Sequence, residues 1–399
     1  MEKIAFNFDL VGKPLTGNKI VCGVVGSGNL EVIIEENATS ETQFTITTAV
    51  ENYQKIWAIV IEDFIREYQP VGLQFTINDS GATPPVVSLR LRQALELFQG
   101  YQKMGHNYLE LAARERITAL VDPGSFKEWL ADEPLYSPHL AALGLTGEAD
   151  DGVIVGEAAF SKKNILIAAQ QKDFLGGGVG EIHGAKLTGL FEAAVKLKVA
   201  AVLLLIDSGG VRLHEANAGE IAISEIVRAI FNARNAGITT IGVVCGKNGA
   251  FGGMGIISAC LDYLIVNEIA RIGVSGPEVI QAVKGVEAFD AQDRALVWRV
   301  YGGKTRYLQD VAHSYVGFEV DEIISAIQIA LTKSSAVNLP FLKQQHTLLE
   351  KRLQSAKNFT DEGAYLEKKY PEFAEKIFEM NTKDFLAAAN IIKTNCQEE

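Results

Sequence analysis

The stretch "AAVLLLIDSGGVRLHEANAGE", residues 200–220, sets the fold class of most of the chain. Residues 200–206 are apolar without alternation, as in a strand buried on both faces of a parallel sheet. A pair of glycines follows, and then a helical pattern over 214–236. The same unit recurs on either side. "NILIAAQ" leads to Gly176-Gly177-Gly178-Val179-Gly180 and a helix over 180–197. "TTIGVVC", 239–245, leads to "GAFGGMG", 249–255, and a helix over 250–259. "LDYLIVN", 261–267, is a further strand, and "GVIVGEAAF" pairs with "NILIAAQ" as a hairpin. Alternating strands and helices of this kind predict an α/β domain with a largely parallel core.

None of the three glycine turns is a P-loop, since none ends in Gly-Lys-Ser/Thr, and none spells G-x-G-x-x-G. What they share is bare backbone amides at helix N-termini, beside the carboxyl ends of strands, where such sheets bind ligands and where negative charge is favoured. Gly210 and Gly253 lie 43 residues apart, one strand–helix–strand period, so their amides could converge on one oxygen. An oxyanion hole built that way gains roughly 2.7–4 kcal/mol from each donor. A single glycine in such a turn commonly serves close packing, but three in successive turns point to a site. Acid–base groups are sparse: there is no G-x-S-x-G elbow and no H-E-x-x-H. His183 and His214 follow the first and second turns, with Lys186 and Arg212 nearby. Each could be structural or could face substrate. A site of amides with few acid–base groups suits a substrate that carries its own reactivity, as an enolate-forming thioester does.

The N-terminal region reads differently. "VVGSGNLEV", 24–32, opens like a dinucleotide loop, but Glu31 stands where the third glycine is required. From Leu30 the chain roughly alternates, so strands over 19–25 and 30–35 form a hairpin whose tip carries Ser27 between Gly26 and Gly28. With strands at 43–49 and 72–77 and helices over 51–67 and 86–98, this is a small α+β sandwich. The boundary falls within "FQGYQKMGHNY", 98–108. Three domains are expected: 1–100, 106–335 and a helical extension over 336–399. The extension has weak apolar periodicity at Leu342, Leu348, Leu349 and Leu353 and reads as a surface appendage.

Of 399 residues, 48% are hydrophobic and 22% charged, enough for a sizeable core. The net charge of −12 argues against nucleic acid or anionic membrane as partner. Cys22, Cys245, Cys260 and Cys396 form no C-x-x-C pair, so no metal is expected. The N-terminus has no signal-peptide pattern and no apolar run reaches about 18 residues, which predicts a cytoplasmic protein without a membrane span.

Residues 109–330 resemble the carboxyltransferase branch of the crotonase superfamily, through "RERITALVDPGSFKEWL", "LLLIDSGGVRLHEANAGE" and "CGKNGAFGGMGI". Within it, "FLGGGVGEIHGAKL" and "SGPEVIQAVKGVEAFDAQDRALVW" are most similar to the β subunit of biotin-independent malonate decarboxylase. "VVGSGNLEVIIE" and "DSGATPPVVSLRLRQALE" resemble that enzyme's δ subunit, its acyl carrier protein. The resemblance implies a crotonase/ClpP-like domain preceded by the carrier, and decarboxylation of a malonyl-S-carrier to acetyl-S-carrier and CO2. It implies 2'-(5''-phosphoribosyl)-3'-dephospho-CoA attached covalently to Ser27 by a prosthetic-group transferase, flanked by Gly26 and Gly28, with no biotin. Also implied are an α-type acyl-carrier transferase subunit and a γ-type carboxyltransferase subunit as partners. Amides near Gly210, Val211, Gly252 and Gly253 would hold the thioester oxygen. His183 or His214 would lie by the departing carboxylate or donate the proton, and Gly177, Gly178, Lys186 and Arg212 would contact substrate. Carrier and β subunit are usually separate chains in that family, so their fusion departs from it, as do the helices after 335. Two alternatives stay open. One is the β subunit of a biotin-dependent acyl-CoA carboxyltransferase, which leaves the G-S-G unit unexplained. The other is a non-catalytic carrier scaffold that docks a γ subunit.

Overall fold

The computed structural model describes residues 2–26, 28–37, 39, 41–99, 107–131, 135–148, 150–359, 362–374 and 376–398. The chain divides into two units: residues up to 104 together with 376–385, and residues 105–375 together with 386–399.

The first unit holds β1 (Glu2–Phe8), β2 (Ile20–Gly23), β3 (Leu30–Glu36), β4 (Thr42–Thr48), α1 (Gln54–Tyr68), β5 (Leu73–Asp79) and α2 (Pro84–Phe98). The sheet order is β1-β4-β5-β3-β2, and only β4 and β5 run parallel. That parallel pair is joined by α1, the crossover such pairs require. Every second residue of β3, β4 and β5 is buried, and Leu30, Val32, Ile34, Phe44, Ile46, Phe75 and Ile77 pack against Trp57, Ile61, Phe64, Leu91 and Leu95 of the two helices. Phe44 and Phe75 stack at 4.4 Å, with Phe64 edge-on to Phe75 at 5.7 Å. This is the two-layer sandwich expected from the sequence, with β1 as an added edge strand.

The second unit's sheet contains β6 (Lys127–Glu128), β7 (Val153–Phe160), β8 (Lys163–Gln170), β9 (Ala201–Leu205), β10 (Thr239–Val244), β11 (Tyr263–Val266) and β12 (Ser314–Tyr315). The strands lie in reverse chain order, parallel from β8 to β12, with β7 and β6 antiparallel at one edge. Every residue of β9 and β10 is buried, which explains the unbroken apolar sequence of β9; in β10, Thr240 is buried with its Oγ1 bonded to Asp262 Oδ2 (2.9 Å). The β7–β8 turn is made by Ser161 and Lys162, both at positive φ (49° and 64°), as a two-residue hairpin with the sheet's twist requires. The helices are α3 (Ala113–Leu120), α4 (Pro138–Ala142), α5 (Glu181–Leu197), α6 (Asn217–Asn235), α7 (Gly252–Cys260), α8 (Pro277–Lys284), α9 (Arg294–Tyr301), α10 (Gly303–Leu308) and α11 (Val320–Ala330). Ile117 and Leu120 of α3 and Ile323 and Ile327 of α11 close a core over Leu203, Leu205, Ile241, Val243 and Ile265.

Among the described residues, α12 (Leu339–Ala356), α13 (Glu362–Lys369), α14 (Pro371–Ala374) and α15 (Thr382–Glu398) follow. They are not all surface decoration, as the weak periodicity suggested. Leu366, Ile377, Phe385 and Ala389 are fully buried, whereas α12 buries none of its described side chains. No helix among the described residues is long and apolar enough to cross a membrane.

Candidate active site

Beyond the carboxyl ends of β8, β9 and β10 the three glycine turns stay in register with one another. Single parallel bridges join Val179 to Val211, Ser208 to Ala250, and Ala250 to Ile272. Gly209 N–H donates to Gly176 O (2.9 Å), Ser208 N–H to Gly249 O (2.8 Å) and Phe251 N–H to Ser208 O (3.1 Å). The turns therefore form one surface at the sheet's carboxyl edge.

Gly210 and Gly252 meet at its centre. Gly210 has φ +126° and Gly252 φ +54°, both in the region that favours glycine. A Cβ on Gly252 would stand 3.2 Å from Gly210 Cα and 3.6 Å from Val211 N, and one on Gly210 would stand 3.2 Å from Phe251 O. The absent side chains let two backbones approach. Four amides were expected to point into this site, and the structure separates them. Gly210 N–H is taken by Ser208 Oγ (3.1 Å) and Gly252 N–H by Val274 O (2.9 Å). Among the described residues, the N–H groups of Val211 and Gly253 have no acceptor. Gly253 lies in the first turn of α7, where the helix dipole adds to the pull on an anion.

Asp207 holds this arrangement from beneath. Its fully buried carboxylate accepts from Arg116 Nη1 (2.8 Å) and from Asn248 N (2.7 Å) of the third turn, while its own N–H donates to Gln170 Oε1 (3.1 Å). Asn248 Nδ2 in turn donates to Gly176 O (3.2 Å). A Cβ on Gly177 would collide with Asp207 O, and one on Gly246 with the Asp207 carboxylate, so the turns close around this residue only as glycine. Neither Asp207 nor Arg116 stood out in the sequence. The signal was there in a charge terminating an otherwise apolar strand.

The expected side chains sort into two groups. His183 is fully buried in α5, and burial, Arg212 and Lys186 push its pKa down to about 3. Gln170 Oε1 already accepts from Asp207 N, so Gln170 Nε2 donates to His183 Nε2 (3.1 Å) and the ring's proton sits on Nδ1. His183 is thus a neutral core residue, which revises its expected role as proton donor. Arg212 is buried and ion-paired: Nη1 contacts Asp151 (2.8 Å) and Glu215 (2.6 Å), and Nη2 donates to Gly178 O (3.1 Å). Lys186 Nζ donates to Asp150 O (2.8 Å) and to Val153 O, and burial lowers its pKa. The N–H groups of Gly177 and Gly178 bond within their own turn, to Phe174 O (2.9 Å) and Leu175 O (3.1 Å). In this structure the polar groups named here for these four residues bond within the protein and build the site's frame. Lys186 also lines a cavity of about 680 Å³ along α5 with Trp129, Val155, Ile182 and Leu190; no residue of the second or third turn lines it. His214 alone of the two histidines is exposed, in the short turn Leu213–Glu215 after the second loop.

Arg271, beside the third turn, was not anticipated. Its guanidinium lies over Phe251 (5.7 Å) and Trp298 (4.8 Å), and burial lowers its pKa. Among the described residues, no group of His, Cys, Asp or Glu is arranged to hold a metal ion.

In the first unit, Ser27 lies outside the described residues. Its neighbours fit an attachment point: a Cβ on Gly26 would meet nothing within 4 Å, and Gly28, at φ +72°, is pinned by its N–H to Ser80 O (2.9 Å).

Known proteins match both units. Residues 17–98 match the Malonate decarboxylase delta subunit (MdcD) family and residues 106–300 the Carboxyl transferase domain family. The chain is 40% identical over 217 residues to malonyl-S-ACP:biotin-protein carboxyltransferase of Malonomonas rubra, covering 51% of this chain and 68% of the relative. It is 41% identical over 101 residues to the malonate decarboxylase acyl carrier protein of Acinetobacter calcoaceticus, covering 25% of this chain and 99% of the relative. A Pseudomonas malonate decarboxylase hetero-tetramer crystallised with malonate superposes with a TM-score of 0.60 at 33% identity, covering 65% of this chain and 95% of that one. The chain belongs to the malonate decarboxylase family, with an acyl carrier domain and a carboxyl transferase domain joined in one polypeptide.

Proposed function

We propose that the chain cleaves the carbon–carbon bond of a malonyl thioester carried on its own N-terminal domain, releasing CO2 and leaving an acetyl thioester. The observation that carries this reading is the close approach of Gly210 and Gly252, beside two N–H groups, of Val211 and Gly253, that have no acceptor among the described residues. As the carboxylate carbon leaves, its bonding electron pair moves into the thioester and charge concentrates on the carbonyl oxygen. The two N–H groups donate to that oxygen, preorganised before the charge appears. A proton then reaches the α-carbon to complete the methyl group; on this reading His214, the exposed one of the two histidines, relays it.

Ser27 would hold the phosphoribosyl-dephospho-CoA arm through a phosphodiester, and when bound that group supplies the thiol on which the acyl is carried. Joining carrier and site in one chain raises the carrier's effective concentration. An α-type transferase subunit would load malonyl, a γ-type subunit would complete the site, and both would meet this chain in the cytoplasm.

A second reading has specific support in the M. rubra relative, whose name gives a biotin-protein as carboxyl acceptor. The bond broken is the same, and only the carboxyl's destination differs. Loading the chain with carboxyl-labelled malonyl in the presence of its γ-type partner tests both. Free labelled CO2, falling about 10²–10³-fold in Gly210→Val, is the expected result. Label retained on a biotin-protein supports the second reading. Release unchanged by Gly210→Val makes this domain a docking scaffold.

A further inference from the structure

The helix α12 lies beyond both family matches, and the proposed reaction does not use it. It is 18 residues long, about 27 Å at 1.5 Å per residue. One side rests on its own unit: Phe341 lies under the Arg234 guanidinium at 5.1 Å, while Gln345 and Arg352 are half-buried. The outer side carries Leu339, Leu342, His346, Leu349, Leu353 and Ala356, spaced three and four apart without a break. That is an a/d seam, the narrow stripe one helix offers to another in a coiled coil. The four leucines are 62%, 52%, 60% and 65% exposed in that order. Side chains that far from water-free surroundings contribute almost nothing to this chain's own folding.

We propose that α12 is a self-association surface, which pairs antiparallel with α12 of a second copy of this chain. Charge selects both the occupant and the direction. The flanking positions on the open side are Lys343, Glu350 and Lys357, one heptad apart. In an antiparallel pair the same flank of each helix comes together. Setting Leu342 against Leu353 and His346 against Leu349 brings Lys343 of each copy beside Glu350 of the other. The twofold axis forms this attractive pair twice, as an isologous interface must. A parallel pair would instead set Arg352 against Lys357, like against like. The helix is therefore complementary to itself in one orientation only.

Sedimentation of the full chain over a range of concentrations tests this. The expected result is a reversible shift from 43.3 kDa to twice that mass. Leu342→Asp with Leu349→Asp should abolish the shift without unfolding, since both positions are exposed, and circular dichroism checks the fold. Lys343→Glu should raise the dissociation constant about tenfold, from two attractions turned to repulsions. Lys343→Glu combined with Glu350→Lys should restore it. A mass of 43.3 kDa at every concentration overturns the proposal, as does a dimer indifferent to the leucine substitutions or a charge swap that fails to restore association. None of these outcomes depends on the reaction assigned to the glycine turns.

Discussion

Gly210 and Gly252 belong to turns 42 residues apart in the chain, yet the missing Cβ of Gly252 points at Gly210 Cα from 3.2 Å. Two consecutive parallel strands with their glycine turns are enough to create this approach. Among the described residues the N–H groups of Val211 and Gly253 have no acceptor, while those of Gly210 and Gly252 are taken by Ser208 Oγ and Val274 O.

Gly176 and Gly177 separate conformational from steric demand. Both have positive φ (66° and 69°), but a Cβ on Gly176 meets nothing within 4 Å, whereas one on Gly177 collides with Asp207 O. Gly176→Ala should cost about 1 kcal/mol of stability and keep most activity. Gly177→Ala should displace the second turn and abolish activity. Urea unfolding and CO2 release on both variants check this.

Asp207→Ala would strand the Arg116 guanidinium, which is buried, without its counter-charge. The expected loss is about 3–5 kcal/mol. Arg116→Met with Asp207→Leu should be less harmful than Asp207→Ala alone, while still disordering the third turn, because Asn248 N loses its acceptor. Equilibrium unfolding measures the first effect and residual CO2 release the second.

His183 makes stability depend on acid. Its pKa in the folded chain is about 3, against 6.5 for an ordinary histidine. Between those values the unfolded chain binds a proton that the folded chain refuses. Stability therefore rises with pH through this window, by up to about 1.4 kcal/mol per unit, and this contribution levels off above 6.5. His183→Asn, compared with the native chain by urea unfolding at pH 7, 6 and 5, should flatten the slope. An NMR titration should find no His183 transition between pH 5 and 8.

Ser27 should carry the only adduct that Ser27→Ala removes. Intact mass of the chain from cells holding the prosthetic-group transferase should exceed the sequence mass by one phosphoribosyl-dephospho-CoA group. The same mass in the Ser27→Ala variant would move the attachment elsewhere.

Much of the fold was legible because burial on both faces writes itself directly into sequence. Residues 200–206 could be little else than a central strand, and β9 and β10 fall where the apolar runs predict. The hairpin of β2 and β3 was legible from the Gly-Ser-Gly-Asn turn. β1 was missed although Ile4, Phe6 and Phe8 alternate along its seven residues; of these only Ile4 is buried on this edge strand. α8, α9 and α10 were missed because they are short and broken by turns. At the site, glycine positions showed where backbones converge, but not which amides stay free. That depends on acceptors such as Ser208 Oγ and Val274 O, set by tertiary register. For the same reason Arg212 and Lys186 looked like substrate cations: sequence does not show that Asp151, Glu215 and Asp150 O already face them.

A crystal structure of the chain with its γ-type partner, bearing an unreactive amide analogue of the acetyl thioester on the carrier, is the most direct measurement. The analogue's carbonyl oxygen should lie about 2.7–3.1 Å from both Val211 N and Gly253 N. An oxygen seated elsewhere, with those two N–H groups facing solvent or a protein acceptor, would contradict the account.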